Sequence, residues 1–229
     1  MVREPGHLPA GLPEALSRTA LAMFDFDGTL AYTQGKNVLI YEQVFEELGV
    51  SGVTEEEYAA MIGHPVEEHV RHIASCHGLP MGDAEVAAAA RRFIEIADEW
   101  NAAHVPGMFP YVPEALSLLA DARCLVVTAN DAGHVGRIFR SWGVGGAFSG
   151  IVSVGGPGAR GTKLDAYRRE AGALPVSGDP SRAVVFEDSE QSVGFAKSLG
   201  MLAVRILHPR SGDASGTQAD FVIDMRGEC

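Results

Sequence analysis

Residues 20–30 read Ala20-Leu21-Ala22-Met23-Phe24-Asp25-Phe26-Asp27-Gly28-Thr29-Leu30, and the reading of this stretch decides the fold. The run from Ala20 to Phe24 is apolar throughout, as in a strand buried on both faces. It ends in two aspartates two residues apart, then Gly-Thr. Carboxylates at the end of a buried strand are costly to desolvate unless something there uses their charge. A nucleophile and a proton carrier beside a bound cation would do so. A strand followed by an Asp/Gly turn is the plainer alternative.

N-terminal to this stretch, residues 1–18 form a Pro- and Gly-rich lead-in, expected to be loose, with a short helix around Pro13 to Ser17. After Leu30 the rhythm changes. Val38, Tyr41, Val44, Phe45 and Leu48 recur at helical spacing, and Gly49 is a stop. Thr54 with Glu57 makes a capping box for a second helix, and Gly63-His64-Pro65 breaks it. Pro65 as first helical residue starts a third through Val66, Val70 and Ile73. Asp83 caps a long fourth helix from Ala84 to Ala103. Residues 32–105 thus read as an all-helical block.

Val105-Pro106-Gly107 resembles a hinge, and beyond it strands and helices alternate. A helix begins at Pro113. Apolar runs at Cys124–Val127, Ile151–Val154 and Ala183–Phe186 read as strands, with shorter ones at Leu202–Ile206 and Phe221–Ile223. Helices follow through Val135 to Trp142, from Lys163 through Tyr167, and through Val193 to Leu199. The 155–161 and 209–217 stretches read as loops. This is an α/β pattern: a Rossmann-like parallel sheet core, residues 1–31 and 106–229, with an all-helical domain of residues 32–105 inserted.

Ligands of open α/β sheets sit beyond the carboxyl ends of the strands. Those ends here carry Asp25/Asp27, Thr128/Asn130, the loop leading to Lys163, and Glu187/Asp188. Carboxylates collected at one rim repel unless a cation joins them, and hard oxygen ligands suit Mg²⁺. Lys163, the Thr128 hydroxyl and backbone N–H groups would answer a phosphate. Asn130 fits either a phosphate contact or turn chemistry.

These motifs together resemble the haloacid dehalogenase superfamily, specifically its phosphatases and phosphomutases with a helical cap after the first strand. Asp25-Phe26-Asp27-Gly28-Thr29 matches the first family motif, Thr128 the second, Lys163 the third and Glu187-Asp188-Ser189 the fourth. The resemblance implies that Asp25 attacks phosphorus and becomes a phosphoaspartate, while Asp27 protonates the leaving oxygen and then activates water. It implies a Mg²⁺ site of Asp25, the Asp27 carbonyl, Asp188 and Glu187, the last as ligand or outer acceptor. Thr128, Lys163, Asn130 and the Gly28 turn would hold the phosphoryl group. Three departures stand out. Leu164 replaces the usual proline after the lysine, Ala31-Tyr32-Thr33 replaces an Asp-Ser pair, and Asn37 stands where sugar-phosphate mutases carry histidine.

The implied activity is hydrolysis of a small phosphorylated metabolite. A phosphomutase acting on a sugar phosphate and a catalytically silent phosphate-binding protein of the same fold are the alternatives. Lys36, His64 and Arg71 could face an anionic substrate, though each reads more simply as surface. His69, His72 and His77 have no metal-ligand spacing. The 229 residues are 46% hydrophobic and carry a net charge of −12, which argues against nucleic acid or an anionic membrane as partner. With no apolar run long enough to span a bilayer, a cytoplasmic protein is expected, monomer or homodimer. Cys76, Cys124 and Cys229 are far apart, so reduced thiols are expected, with Cys124 in the core.

Overall fold

A computed structural model of the chain describes residues 8–33, 35–61, 64–154, 161–174, 179–211 and 214–227. Residues 155–160 and 212–213, on which most of one expected loop and part of the other fall, lie outside these, as do Gly63, Cys229 and the first seven residues. The chain divides into two compact units. One comprises the residues up to Tyr32 and from Pro106 onward; the other is Thr33–Val105. Tyr32 falls in the first because its N–H bonds the Gly107 carbonyl at 2.9 Å and its ring packs 3.9 Å from that of Phe109.

In chain order the first unit begins with helix α1 (Leu12–Leu16) and strand β1 (Leu21–Phe24). The second unit holds α2 (Lys36–Glu47), α3 (Glu55–Ala59), α4 (Val66–Cys76) and α5 (Asp83–Ala103). The first unit resumes with α6 (Val112–Leu118), β2 (Arg123–Thr128), α7 (Ala132–Trp142), β3 (Gly150–Ser153), α8 (Lys163–Gly172), β4 (Ala183–Glu187), α9 (Glu190–Ser198), β5 (Leu202–Leu207) and β6 (Phe221–Asp224).

The six strands form one parallel sheet in the order β3-β2-β1-β4-β5-β6. Strand side chains alternate between its two faces. Ala22 and Phe24 join Val126, Phe186 and Val204 under α1, α6 and α7. Leu21 and Met23 join Leu125, Val127 and Val185 under α8 and α9. Phe24 and Phe186 stack at 4.4 Å. Both faces are covered, which is why β1 and β4 read as unbroken apolar runs. The chain order reverses between β1 and β4, so a crevice for ligands is expected beyond their carboxyl ends.

Several local expectations are corrected. The short helix expected in the lead-in is present as α1, but it is not loose: Leu12 and Leu16 are fully buried against the sheet. Pro65 precedes α4 as its cap residue rather than opening it, because its ψ of 153° is extended. Asp83 is the first residue of α5, not its cap; Gly82 holds that position and its N–H donates to Glu85 Oε2 at 2.7 Å. Thr54 and Glu57 do form the reciprocal box, though α3 has only five residues. The helical unit has its own core, with Tyr41, Phe45, Val70, Ile73 and Phe93 at its centre. Among the described residues no helix is long and apolar enough to cross a membrane.

Candidate active site

The turn after β1 is built by its sequence. Gly28 takes φ 69°, a conformation that penalises any side chain, and its N–H bonds the Ala31 carbonyl at 3.0 Å. Leu30 and Ala31 N–H groups both return to the Phe26 carbonyl at 2.9 Å. Tyr111, fully buried at the start of α6, donates its hydroxyl to the Thr29 carbonyl at 2.8 Å. The turn is therefore fixed on both sides. The Gly28 N–H is used inside it, so what Gly28 contributes is backbone conformation.

Register places the acidic residues side by side. Phe24 pairs with Phe186, and the Asp25 N–H continues the ladder to the Phe186 carbonyl at 3.0 Å. Asp25 thus lies level with Glu187. One carboxylate oxygen from each of Asp25, Glu187 and Asp188 lies within 4.8 Å of the other two. Asp25 is 6% exposed and Glu187 fully buried. Lys163 enters this group from the first position of α8, which Thr162 caps through Asp165. Its Nζ lies 2.8 Å from Asp25 Oδ1 and 2.7 Å from Glu187 Oε1. Tyr167, one helical turn further on, donates its hydroxyl to the same Glu187 oxygen at 2.6 Å.

The electrostatics follow from crowding. Burial pushes the Asp25 carboxyl well up; Lys163 opposes, and Glu187, Asp188 and Asp27 push it higher still. Burial also raises Glu187, against the pull of Lys163. Burial disfavours the Lys163 ammonium, yet Asp25 and Glu187 outweigh it and hold the pKa above its ordinary value. Lys163 pairs with two of the three carboxylates, and Glu187 Oε2, fully buried, has no hydrogen-bond partner among the described residues. An orphaned acceptor in an all-oxygen, net negative cluster fits a hard divalent cation.

Asp27 is not one of the three converging carboxylates, though it is close enough to act on Asp25. Its Oδ2 accepts a hydrogen bond from Asn130 Nδ2, so its carboxylate is turned toward the end of β2. The Asn130 N–H in turn donates to Thr128 Oγ1 at 3.0 Å, and Ser153 Oγ donates to the Asn130 carbonyl at 2.7 Å. Thr128 is fully buried. Structure thus brings Asp25, Lys163, Glu187 and Asp188 into one cluster, and links Thr128 to Asp27 through Asn130. Asn130 combines turn chemistry with a grip on Asp27, an arrangement that residue type alone did not reveal. Tyr167 was missed as well, although its spacing of four from Lys163 on one helix was a readable signal.

The outlying candidates divide. His64 and Arg71 are about half exposed and paired with Glu68 and Asp83. Lys36 is not surface: it is 8% exposed, its Nζ donates to Asn101 Oδ1 at 2.8 Å and stands 5.4 Å from the Trp100 ring centroid. The expectation failed because the aliphatic stem and a cation–π contact let a lysine pack inside a helical unit.

A family model described as haloacid dehalogenase-like hydrolase matches residues 22–206, most of the chain and the whole of this cluster. The chain belongs to that family. Within the family it is 25% identical over 226 residues to validoxylamine A 7'-phosphate phosphatase of Streptomyces hygroscopicus subsp. limoneus, covering 89% of this chain and 92% of that one. Its fold is similar to that of a predicted phosphoglycolate phosphatase from Haemophilus somnus 129PT, with TM-score 0.74, 18% identity, and 90% and 93% of the two chains covered. CbbY of Rhodobacter sphaeroides, solved in complex with phosphate, matches with TM-score 0.64 at 25% identity, covering 89% and 93%. This haloacid dehalogenase-like hydrolase therefore has an α/β Rossmann-like core in common with enzymes named for phosphate esters.

Proposed function

We propose that this hydrolase is a phosphatase that cleaves a small phosphate monoester through a phosphoaspartate on Asp25. The observation that carries the reading is that the two aspartates have different partners. Asp25 faces Lys163 in the acidic cluster, whereas the Asp27 carboxylate is bonded to Asn130. Two carboxylates two residues apart in different environments suit two different roles.

An Asp25 carboxylate oxygen forms a bond to phosphorus as the ester P–O bond breaks. Asp27 gives its proton to the departing alkoxide. With Asn130 donating to Oδ2, the other oxygen of Asp27 is the one available to carry that proton. Asp27, now ionised, takes a proton from water as that water attacks phosphorus, and the bond to Asp25 breaks to release phosphate. Lys163 and the Thr128 hydroxyl orient the phosphoryl oxygens and offset their charge. Mg²⁺, held by Asp25, Asp188, the Asp27 carbonyl and Glu187, would supply electrostatic stabilisation of the transferring group.

Phosphate release from a panel of sugar, nucleotide and glycolate phosphates, with validoxylamine A 7'-phosphate included, tests this. At least one ester is turned over with added Mg²⁺, and Asp25→Asn abolishes turnover. An Asp25→Asn protein with ordinary rates removes the mechanism. Isomer formation without net phosphate release would instead select a mutase.

A further inference from the structure

β5 lies beside β4 in the sheet, and the residue after its last position is His208. The ring is 4% exposed, and its Nε2 lies 3.3 Å from Asp188 Oδ2. Its other nitrogen, Nδ1, faces the backbone N–H of Arg210 at 3.2 Å. A backbone N–H can only donate, so Nδ1 must accept. The hydrogen-bond network therefore puts the ring hydrogen on Nε2, aimed at Asp188. The turn that carries the ring is closed from both ends. The His208 N–H donates to Ser211 Oγ at 3.0 Å, and the Ser211 N–H to the His208 carbonyl at 2.8 Å. A buried donor on a fixed turn thus pins one oxygen of a planar carboxylate, which sets the direction of the other.

We propose that His208 is a positioning residue for Asp188, holding its carboxylate in the orientation that a divalent cation in the Asp25/Glu187/Asp188 cluster requires. This rests on the reading of Asp188 as a metal ligand. Glu187 has an equivalent donor in Tyr167, so each carboxylate contributed from the end of β4 is oriented by a side chain from a neighbouring element. Such outer partners fix ligand geometry, and losing one costs about 10–100-fold in metal affinity.

The test is Mn²⁺ binding to EDTA-stripped full-length protein, followed by loss of the free-ion EPR signal, with Mg²⁺ as competitor. His208→Asn keeps an acceptor near the Nδ1 position for Arg210 but falls short of Asp188. His208→Gln extends an N–H to about the Nε2 position. The expected result is Mn²⁺ affinity about 10–100-fold weaker in His208→Asn and largely recovered in His208→Gln, with unchanged circular dichroism in both. Equal affinity in wild type and His208→Asn overturns the positioning role and leaves the metal reading intact. Equal weakening in both variants also overturns it, since the ring and not its donor would then matter. A wild-type protein that binds neither ion overturns both.

Discussion

Lys163→Met isolates the cation that holds the acidic cluster together. The thioether has about the length of the lysine stem, so the change removes charge more than volume. At 2.8 and 2.7 Å, each contact of Nζ with Asp25 and Glu187 is worth about 6 kcal/mol by Coulomb's law at an effective dielectric near 20. Most of that gross attraction is offset by the desolvation of the ammonium, which burial here opposes. What remains in the variant is Asp25 and Glu187, crowded beside Asp188, without the ammonium that paired them, and breaking a buried pair in this way costs about 3–5 kcal/mol. For a chain of this size that is a fall in Tm of about 6–20 °C. Urea unfolding in EDTA measures it. The chain has two tryptophans, Trp100 in the helical unit and Trp142 in the sheet unit, so a Trp100→Phe background leaves Trp142 to report the sheet unit alone. Saturating Mg²⁺ should shrink the loss, because a divalent ion in the cluster takes over part of the neutralisation. A loss below about 1 kcal/mol in EDTA, the size of an exposed ion pair, would refute the reasoning. So would an equal loss with and without Mg²⁺.

Three further outcomes are expected. Asp27→Asn should lower kcat in phosphate release by about 10²–10⁴-fold, the usual share of acid–base catalysis; an unchanged rate would move the proton role to another group. Tyr167→Phe keeps the ring in the core and removes the hydroxyl donor to Glu187, costing about 1.5–3 kcal/mol. A double-mutant cycle with Glu187→Met, which leaves no oxygen to accept, should show the two changes coupled, and simple additivity would contradict the bond. His69 is 5% exposed in the helical unit, and burial, reinforced by His64, lowers its pKa to about 4. An unfolded histidine titrates near 6.5, so between these values the unfolded state binds more protons and stability falls as pH falls. Wild type should lose at most about 3 kcal/mol between pH 6.5 and 4 relative to His69→Phe, which keeps the stacking on Tyr41 at 5.4 Å. Parallel stability–pH curves for the two proteins would show that His69 is not buried neutral.

What could be read from the sequence was whatever one strand or helix states about itself. The apolar run into Asp25 and Asp27, the run into Thr128, and the run into Glu187 and Asp188 each carry a strand and its polar terminus in consecutive residues. The alternation of such units implies a parallel sheet, and a parallel sheet puts those termini at one rim. Lateral pairing is different in kind. The spatial order β2-β1-β4-β5 is not chain order, so a grip such as Asn130 on Asp27, 103 residues apart, leaves no local trace. His208 shows the same limit: it looks like the polar end of a late strand, and only the adjacency of β5 to β4 aims it at Asp188. Lys36 fails for a third reason, since a long aliphatic stem makes a buried lysine and a solvated one alike in sequence. Tyr167 is the instructive exception. It shares a helix face with Lys163, and both reach one oxygen of Glu187, so i,i+4 spacing would have paired them. The groups predicted to react are thus those that sequence displays along a single element. The groups that orient them come mostly from elements adjacent only in the folded sheet.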